Sequence, residues 1–189
     1  MKKYELLKDD TIEVAGKTLF RIKALISFKD IRKGEIGGYV EAERNLSQSG
    51  NAWVTGNAWV CDDAWVSGNA WVCDDAWVSG NACVTGNARV SDNAWVSGNA
   101  CVTGNAWVCD DAWVSGNAWV ETSNDYIVFK NNWSSFRWFT YTKSNKMWRV
   151  GCFYGTGDEL IKEAYADSEE SGRKYELYVN LVKELYRDE

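Results

Sequence analysis

The chain has 189 residues, a net charge of −6 at pH 7, twelve tryptophans, and neither proline nor histidine. The absence of histidine removes the commonest general base and the commonest metal ligand. Apolar residues make up 46% of the chain, but no run of them is long enough to span a membrane. The acidic balance argues against general binding to nucleic acid, whose phosphates attract basic proteins.

Residues 1–39 are predicted to form a small N-terminal β cap. Residues 11–14 and 17–26 alternate as strands do, and Ala15-Gly16 between them marks the turn of a hairpin. Such a cap covers the open end of a repeat array. The opening Met-Lys-Lys is followed by polar residues, so no signal peptide is expected. Six cysteines without such a signal predict free thiols in a reducing, cytoplasmic compartment.

From residue 52 to residue 120 the sequence repeats every six residues without interruption. The unit is Ala-Trp-Val, then Ser, Thr or Cys, then Gly or Asp, then Asn or Asp. In an extended segment, residues two apart share a face, so Ala and Val point one way and Trp points the other. Gly, Asn and Asp tolerate left-handed backbone angles and mark the corners. Each hexad is therefore a short strand followed by a turn, which indicates a solenoid.

Two architectures have a strand and a turn in every six residues. One is a parallel β-helix with three hexads in each coil; the other is an antiparallel meander with two-residue turns. Asp-Asp pairs suit the turns of a meander poorly, and Asp74, Asp92 and Asp110 recur at a spacing of 18. A flat meander would also expose either its Ala and Val face or its Trp face. We therefore predict an all-β solenoid of about four to five coils over residues 40–120, its bore filled by Ala and Val.

Residues 18 apart then stack in successive coils and define three sides. Side one carries Trp53, Trp71, Arg89 and Trp107; side two carries Trp59, Trp77, Trp95 and Trp113; side three carries Trp65, Cys83, Cys101 and Trp119. Side two is an unbroken ladder, which we interpret as the interface of a homo-oligomer, because tryptophan is enriched at interfaces. Two alternatives stay open: a platform on which sugars or nucleobases stack, and a surface covered by the C-terminal segment.

The segment at residues 35–47, Glu-Ile-Gly-Gly-Tyr-Val-Glu-Ala-Glu-Arg-Asn-Leu-Ser, runs into the first hexads through Gly-Asn-Ala-Trp-Val at residues 50–54. With the repeat, it resembles the hexapeptide-repeat, left-handed β-helix family, and within it a subgroup common in bacteriophage and prophage genomes. The resemblance covers about residues 1–120 and implies left-handed coiling, frequent trimers and a bacterial host cell. The family's acyltransferases use a histidine base and its γ-class carbonic anhydrases use three histidine ligands. This chain has no histidine, so we predict no enzymatic activity, cofactor or metal.

Cysteines and aspartates raise two further possibilities in the array. The predicted Cα spacing of Cys83 and Cys101 permits a disulfide, although free thiols are expected from the compartment. Corner cysteines Cys61, Cys73 and Cys109 lack the partners of a tetrahedral zinc site. One corner collects Asp74, Asp75, Asp92, Asp110 and Asp111. These carboxylates are interpreted as solvated turn residues, with a bound cation as the alternative.

Residues 121–189 are predicted to form a C-terminal α+β module with three strands and two helices. The strands cover residues 126–129, 137–142 and 147–154. A capping box at 156–159 begins the first helix, and residues 168–172 interrupt it before a second apolar-striped helix.

Basic and aromatic residues alternate in this module, which suits phosphates attached to bases. The predicted ligand-binding residues are Lys130, Arg137, Trp138, Tyr141, Lys143, Trp148 and Arg149. The alternative is an ordinary cap with solvated Lys and Arg side chains.

The leading functional hypothesis is a non-enzymatic, phage-encoded, self-associating protein that captures a small anionic ligand or a host factor. Phage proteins that sequester nucleotide immune signals, and so evade host defence, are an analogy only. The second hypothesis is a purely structural assembly protein whose Trp faces are the whole function. A third, an enzyme in the C-terminal module, has only Asp125, Tyr126, Tyr141 and Glu159 as acid–base candidates.

Overall fold

The computed structural model describes residues 2–187, and the chain divides into two compact units after Asp125. In the first unit, strands β1 (Tyr4–Val14) and β2 (Lys17–Ala24) form an antiparallel hairpin. Its turn is Ala15-Gly16, as predicted, and both residues have positive φ. Strand β3 (Ile36–Val40) pairs antiparallel with β2 and parallel with the first strand of side two, so the cap continues a sheet of the solenoid.

Each of the twelve hexads supplies one two-residue strand. Strands β4 to β15 are Trp53–Val54, Trp59–Val60, Trp65–Val66, Trp71–Val72, Trp77–Val78, Cys83–Val84, Arg89–Val90, Trp95–Val96, Cys101–Val102, Trp107–Val108, Trp113–Val114 and Trp119–Val120. Each pairs in parallel with the strand 18 residues away, in three sheets with the orders β4-β7-β10-β13, β5-β8-β11-β14 and β6-β9-β12-β15. The twelve strands make four coils of three strands each. Because Val40 pairs with Val60 and Leu46 bridges to Val66, a partial coil precedes these four coils. The predicted three-sided solenoid is confirmed.

Alanine and valine fill the bore, as the repeat predicts. Every Ala and Val of the hexads from residue 52 to residue 120 is at most 1% exposed. At each corner the first turn residue has a left-handed backbone; it is Gly in eight of the corners from Gly50 to Gly116 and aspartate at Asp62, Asp74, Asp92 and Asp110. A short 3₁₀ turn, Ser123–Asp125, follows the last hexad. There the Asp125 carboxylate accepts hydrogen bonds from the backbone N–H groups of Glu121 and Thr122.

The second unit packs two helices on one face of an antiparallel sheet. The sheet runs β16 (Tyr126–Lys130), β17 (Trp138–Thr142), β18 (Met147–Val150) and β19 (Phe153–Gly155). The helices are α1 (Gly157–Asp167) and α2 (Glu169–Leu185). The buried core residues are Phe139, Tyr141, Trp148, Leu160, Ala164, Tyr175, Val179 and Val182.

Two details of this unit differ from the sequence prediction. The third predicted strand, 147–154, is a hairpin of β18 and β19, because Gly151 turns the chain with φ of 55°. The predicted interruption over residues 168–172 is a single residue, Ser168, whose backbone is extended. The Ser168 hydroxyl accepts a hydrogen bond from the Ser171 N–H and so caps α2. The predicted capping box of α1 is confirmed, because Thr156 accepts from the Glu159 N–H and Glu159 accepts from the Thr156 N–H.

Candidate functional site

The tryptophans of side two form a continuous stack on the outside of the solenoid. Ring centroids are 4.6 Å apart for Trp59 and Trp77, 4.2 Å for Trp77 and Trp95, and 4.1 Å for Trp95 and Trp113. The rings deviate from parallel by 13°, 8° and 9°. Each of the four residues is half-buried, because the rings cover one another. The predicted ladder is confirmed as a geometric feature of the fold.

Serines hold indoles of the side-two ladder in place. Trp95 Nε1 donates to Ser79 Oγ at 3.3 Å, and Trp113 Nε1 donates to Ser97 Oγ at 3.2 Å. In each case the acceptor lies 16 residues earlier, directly after the valine of the neighbouring coil. Sequence reasoning treated this position as part of the turn and missed its role. The signal was present, because Ser, Thr or Cys occupies the position in nearly every hexad.

The most exposed tryptophans of the solenoid are not in the predicted interface ladder. On side three, Trp65 is 53% exposed and Trp119 is 55% exposed. Cys83 and Cys101 lie in register between them, and both are free thiols. Burial and the neighbouring Cys83 raise the pKa of the Cys101 thiol to about 11. Side three is therefore a strip of apolar side chains with an exposed indole at each end.

Side one carries a cation in place of a tryptophan. Arg89 lies in register between Trp71 and Trp107, with its guanidinium carbon 5.1 Å from the Trp107 ring centroid. Its Nη2 donates to Cys73 Sγ at 3.5 Å. Lys29 places its Nζ 5.4 Å from the centroid of Trp71. These groups border an open cavity of about 470 Å³, whose lining residues are Lys29, Asp30, Asn69, Trp71, Asn87 and Arg89.

The corner aspartates accept hydrogen bonds from the residue before them. Cys73 Sγ donates to the Asp74 carboxylate at 2.9 Å, and Ser91 Oγ donates to Asp92 at 2.8 Å. Cys109 makes the same contact with Asp110 at 3.2 Å. Burial raises the pKa of the Cys73 thiol to about 11, with Asp74 adding to the rise. These contacts are those of turn residues.

A second acidic group, near the cap, already has a cationic partner within the protein. Glu41, Cys61 and Asp62 lie close enough together to hold a metal ion. The Lys17 ammonium lies between the two carboxylates, 3.1 Å from Glu41 Oε2 and hydrogen-bonded to Asp62. Lys17 and the Gly80 N–H together lower the pKa of the Asp62 carboxyl. The group therefore stabilises the junction of cap and solenoid.

The structure does not bring the seven predicted ligand-binding residues together. Tyr141 and Trp148 are cross-strand partners that face the helices, and both are buried. They were predicted as ligand contacts because aromatic residues alternate with basic residues in this module, and that alternation does not show which face of the sheet a residue occupies. Arg149, whose strand partners are Thr140 and Tyr154, is on the opposite face of the sheet. Burial lowers its pKa.

The other predicted residues fall in three separate places. Lys130 and Trp138 are cross-strand partners with Nζ 5.0 Å from the ring centroid. Lys143 Nζ lies 4.9 Å from the ring of Tyr186. Arg137 lines a cavity of about 200 Å³ that Glu163 and Asp167 also line. The two carboxylates offset the charge of Arg137, so this cavity suits an anion poorly.

Comparison with known families supports the repeat architecture. A family model described as the YdcK beta solenoid repeat matches residues 94–110. The matched segment lies within the twelve hexads whose strands stack 18 residues apart. The match and the structure together support a β-solenoid repeat architecture. The comparison with curated proteins found no match.

Within residues 2–187, neither α1 nor α2 combines the length and apolar character that a membrane-spanning helix needs.

Proposed function

We propose that this β-solenoid protein is a non-enzymatic, self-associating binding protein. The observation that carries the proposal is the strip on side three, where Trp65 and Trp119 are each more than half exposed. Exposed tryptophans in a contiguous apolar surface mark interaction sites, because a soluble monomer rarely leaves such surface in contact with water. Tryptophan is also the residue type that contributes most to protein–protein binding energy.

The interface is proposed for side three rather than for the ladder of side two. The ladder rings already stack on one another, so a partner subunit would gain less from covering them. On side three, Cys83 and Cys101 are small, and the indoles at positions 65 and 119 stand at either end of them. Such a strip can receive an apolar edge of a second subunit. The cyclic trimer expected from the family resemblance buries one side of every subunit in this way.

The finer assignments rest on the resemblance noted above. The six-residue unit and the parallel, three-sided coil support a place in the hexapeptide-repeat class with left-handed coiling. A bacteriophage origin and a bacterial cytoplasmic location rest on residues 35–54 and on the six cysteines, which are free thiols in the structure. The absence of histidine supports binding rather than catalysis.

Sedimentation equilibrium tests self-association. Trp65→Ser and Trp119→Ser should lower the mass in solution, whereas Trp107→Ser, which removes a similarly exposed indole from side one (48%), should leave it unchanged. A monomeric wild-type protein at micromolar concentration would contradict the proposal. Loss of mass in Trp107→Ser alone would contradict the choice of side three.

In this proposal the protein captures a small anion, for example a nucleotide immune signal. The alternative partner is a host protein. Basic groups beside aromatic rings recur in both units and support anion capture. A host protein is favoured by the exposed leucines of α2, since Leu177, Leu181 and Leu185 are 65%, 47% and 57% exposed.

Native mass spectrometry of the purified protein tests anion capture, because a captured anion should co-purify. A purely structural role predicts that nothing does.

A further inference from the structure

We propose that Lys29, Trp71 and Arg89 form a binding site for a small organic oxyanion, a carboxylate or phosphate carried on a sugar or another ring. The inference rests on the proposed capture of an anion and assigns that capture to side one of the solenoid. It moves the site away from the C-terminal unit, where the sequence predicted it. Three observations carry it: the identity of residue 89, the backbone at Lys29, and the composition of the cavity between them.

Arg89 departs from the repeat by placing a cation where the other hexads carry Trp or Cys. It is the only basic residue in residues 47–120, which also hold seven aspartates. Tryptophan at this position would complete a run of four indoles in register on side one, the arrangement in which the indoles of side two stack. Departures from a local rule of this kind are expected at functional sites. Arg89 is held in place by the Trp107 ring and by Cys73 Sγ, so its guanidinium is oriented before a ligand arrives.

Lys29 reaches the same surface from a strained turn in the cap. Phe28 and Ile31 form an antiparallel bridge across this turn. Lys29 has φ of 46°, a backbone conformation that residues other than glycine rarely adopt. Phe28 anchors the turn by packing edge-on against the buried Trp53, with ring centroids 5.5 Å apart. The left-handed backbone fixes the direction in which this turn presents the Lys29 side chain. The turn aims Lys29 at the indole of Trp71.

The cavity provides the remaining contacts that such a ligand needs. Its volume of about 470 Å³ is in the range of small-molecule sites. An oxyanion placed beside Trp71 is flanked by the Lys29 ammonium and the Arg89 guanidinium, and Arg binds carboxylates and phosphates with two parallel hydrogen bonds. The ring of the ligand then lies against the indole, as sugars and bases do on aromatic side chains.

Neighbouring polar groups narrow the ligand class further. Asn69 and Asn87 are joined to each other by an Nδ2–Oδ1 hydrogen bond of 3.0 Å, and each amide retains a second N–H. The Asp30 carboxylate can accept a hydrogen bond from a ligand hydroxyl but repels additional negative charge, so it favours a ligand with hydroxyl groups and few negative charges. The acidic array repels polyanions in the same way. A sugar acid, a sugar phosphate or a mononucleotide fits these conditions.

Isothermal titration with defined probes tests the site: glucuronate, glucose 6-phosphate, AMP and inorganic phosphate, each added to the full-length protein. At least one organic probe should bind the wild type. Arg89→Trp, which restores the residue of the repeat, should weaken that binding at least tenfold while the melting temperature stays the same or rises. Arg89→Lys should retain part of the affinity, and Arg137→Ala in the second unit is the matched control that should bind normally.

The outcomes separate this inference from the proposed function. Unchanged binding in Arg89→Trp, with loss in Arg137→Ala, would overturn the site on side one and leave anion capture in the C-terminal unit. Inorganic phosphate binding as tightly as the organic probes would overturn the role of Trp71. If no probe binds the wild type and no anion co-purifies with it, both this site and the proposed capture are wrong. Binding of one organic probe that Lys29→Ala and Arg89→Trp each weaken would support the site.

Discussion

Replacing Trp95 by alanine should destabilise the solenoid through the loss of stacking. Trp95 packs against two rings at 4.2 and 4.1 Å and donates a hydrogen bond to Ser79. Each aromatic pair contributes about 0.5–1.5 kcal/mol beyond its buried area. Two pairs therefore account for about 1–3 kcal/mol, and the loss of a half-buried ring adds to this. We expect a total of about 3 kcal/mol, the lower end of the range for a buried tryptophan.

Urea unfolding followed by circular dichroism measures this loss. Trp65→Ala is the matched control, compared at concentrations low enough for every variant to be monomeric so that the proposed interface does not contribute: Trp65 is 53% exposed and its neighbour in register is Cys83 rather than a second indole. It should cost less than about 1 kcal/mol, as exposed substitutions usually do. Trp95→Phe should lie between the two, because it keeps a stacked ring but loses the bond to Ser79. Equal destabilisation by Trp95→Ala and Trp65→Ala would refute the importance of the ladder.

Four further predictions follow from single contacts. Ala94→Leu places a larger side chain in the filled bore and should lower the free energy of unfolding in urea by about 1–3 kcal/mol. An unchanged urea midpoint would contradict a close-packed bore. Gly80→Ala should cost about 1–2 kcal/mol in the same assay, because φ is 68° and the new Cβ would lie 2.9 Å from a backbone nitrogen of the next coil. Burial lowers the pKa of Lys3 from 10.5 to about 8, so at this group the unfolded chain binds more protons between pH 8 and 10, and Lys3 contributes stability that grows with pH there. The raised pKa values of the Cys73 and Cys101 thiols act in the opposite direction, so the melting temperature of Lys3→Met should fall more steeply between pH 8 and 10 than that of the wild type; an equal slope would contradict the shift at Lys3. A thiol reagent should modify exposed Cys152 first and buried Cys73, with its raised pKa, much later; peptide mass spectrometry reads the order.

The solenoid could be predicted from the sequence because its period is short and its side-chain classes are unambiguous. Ala and Val two residues apart must share a face, and the 18-residue spacing of Asp74, Asp92 and Asp110 indicates three strands in each coil. The structure confirms every stacking pair that follows from this spacing. The serine acceptors were missed, because a hydrogen bond from Trp95 to Ser79 depends on how far the indole leans toward the neighbouring coil.

The C-terminal unit was harder to predict because it has no repeat. The capping box at Thr156 is a local signal and was identified correctly. The turn at Gly151 was missed, since one glycine in a strand pattern is compatible with a bulge or a turn. Tyr141 and Trp148 were placed in a ligand site because both follow the same alternation as the exposed residues. The pairing of β17 with β18 puts them on one face of the sheet, and their packing with Leu160 and Val179 shows that this face carries the helices.

Hydroxyl-radical footprinting of the tryptophans tests most directly the claim that the array carries its indoles on the outside. The structure predicts rapid oxidation of Trp65, Trp107 and Trp119, slower oxidation of the stacked Trp77 and Trp95, and protection of the fully buried Trp53. Uniform protection of all the array tryptophans at monomer concentrations would mean that they fill the interior instead, and it would contradict the fold, the proposed interface and the oxyanion site together.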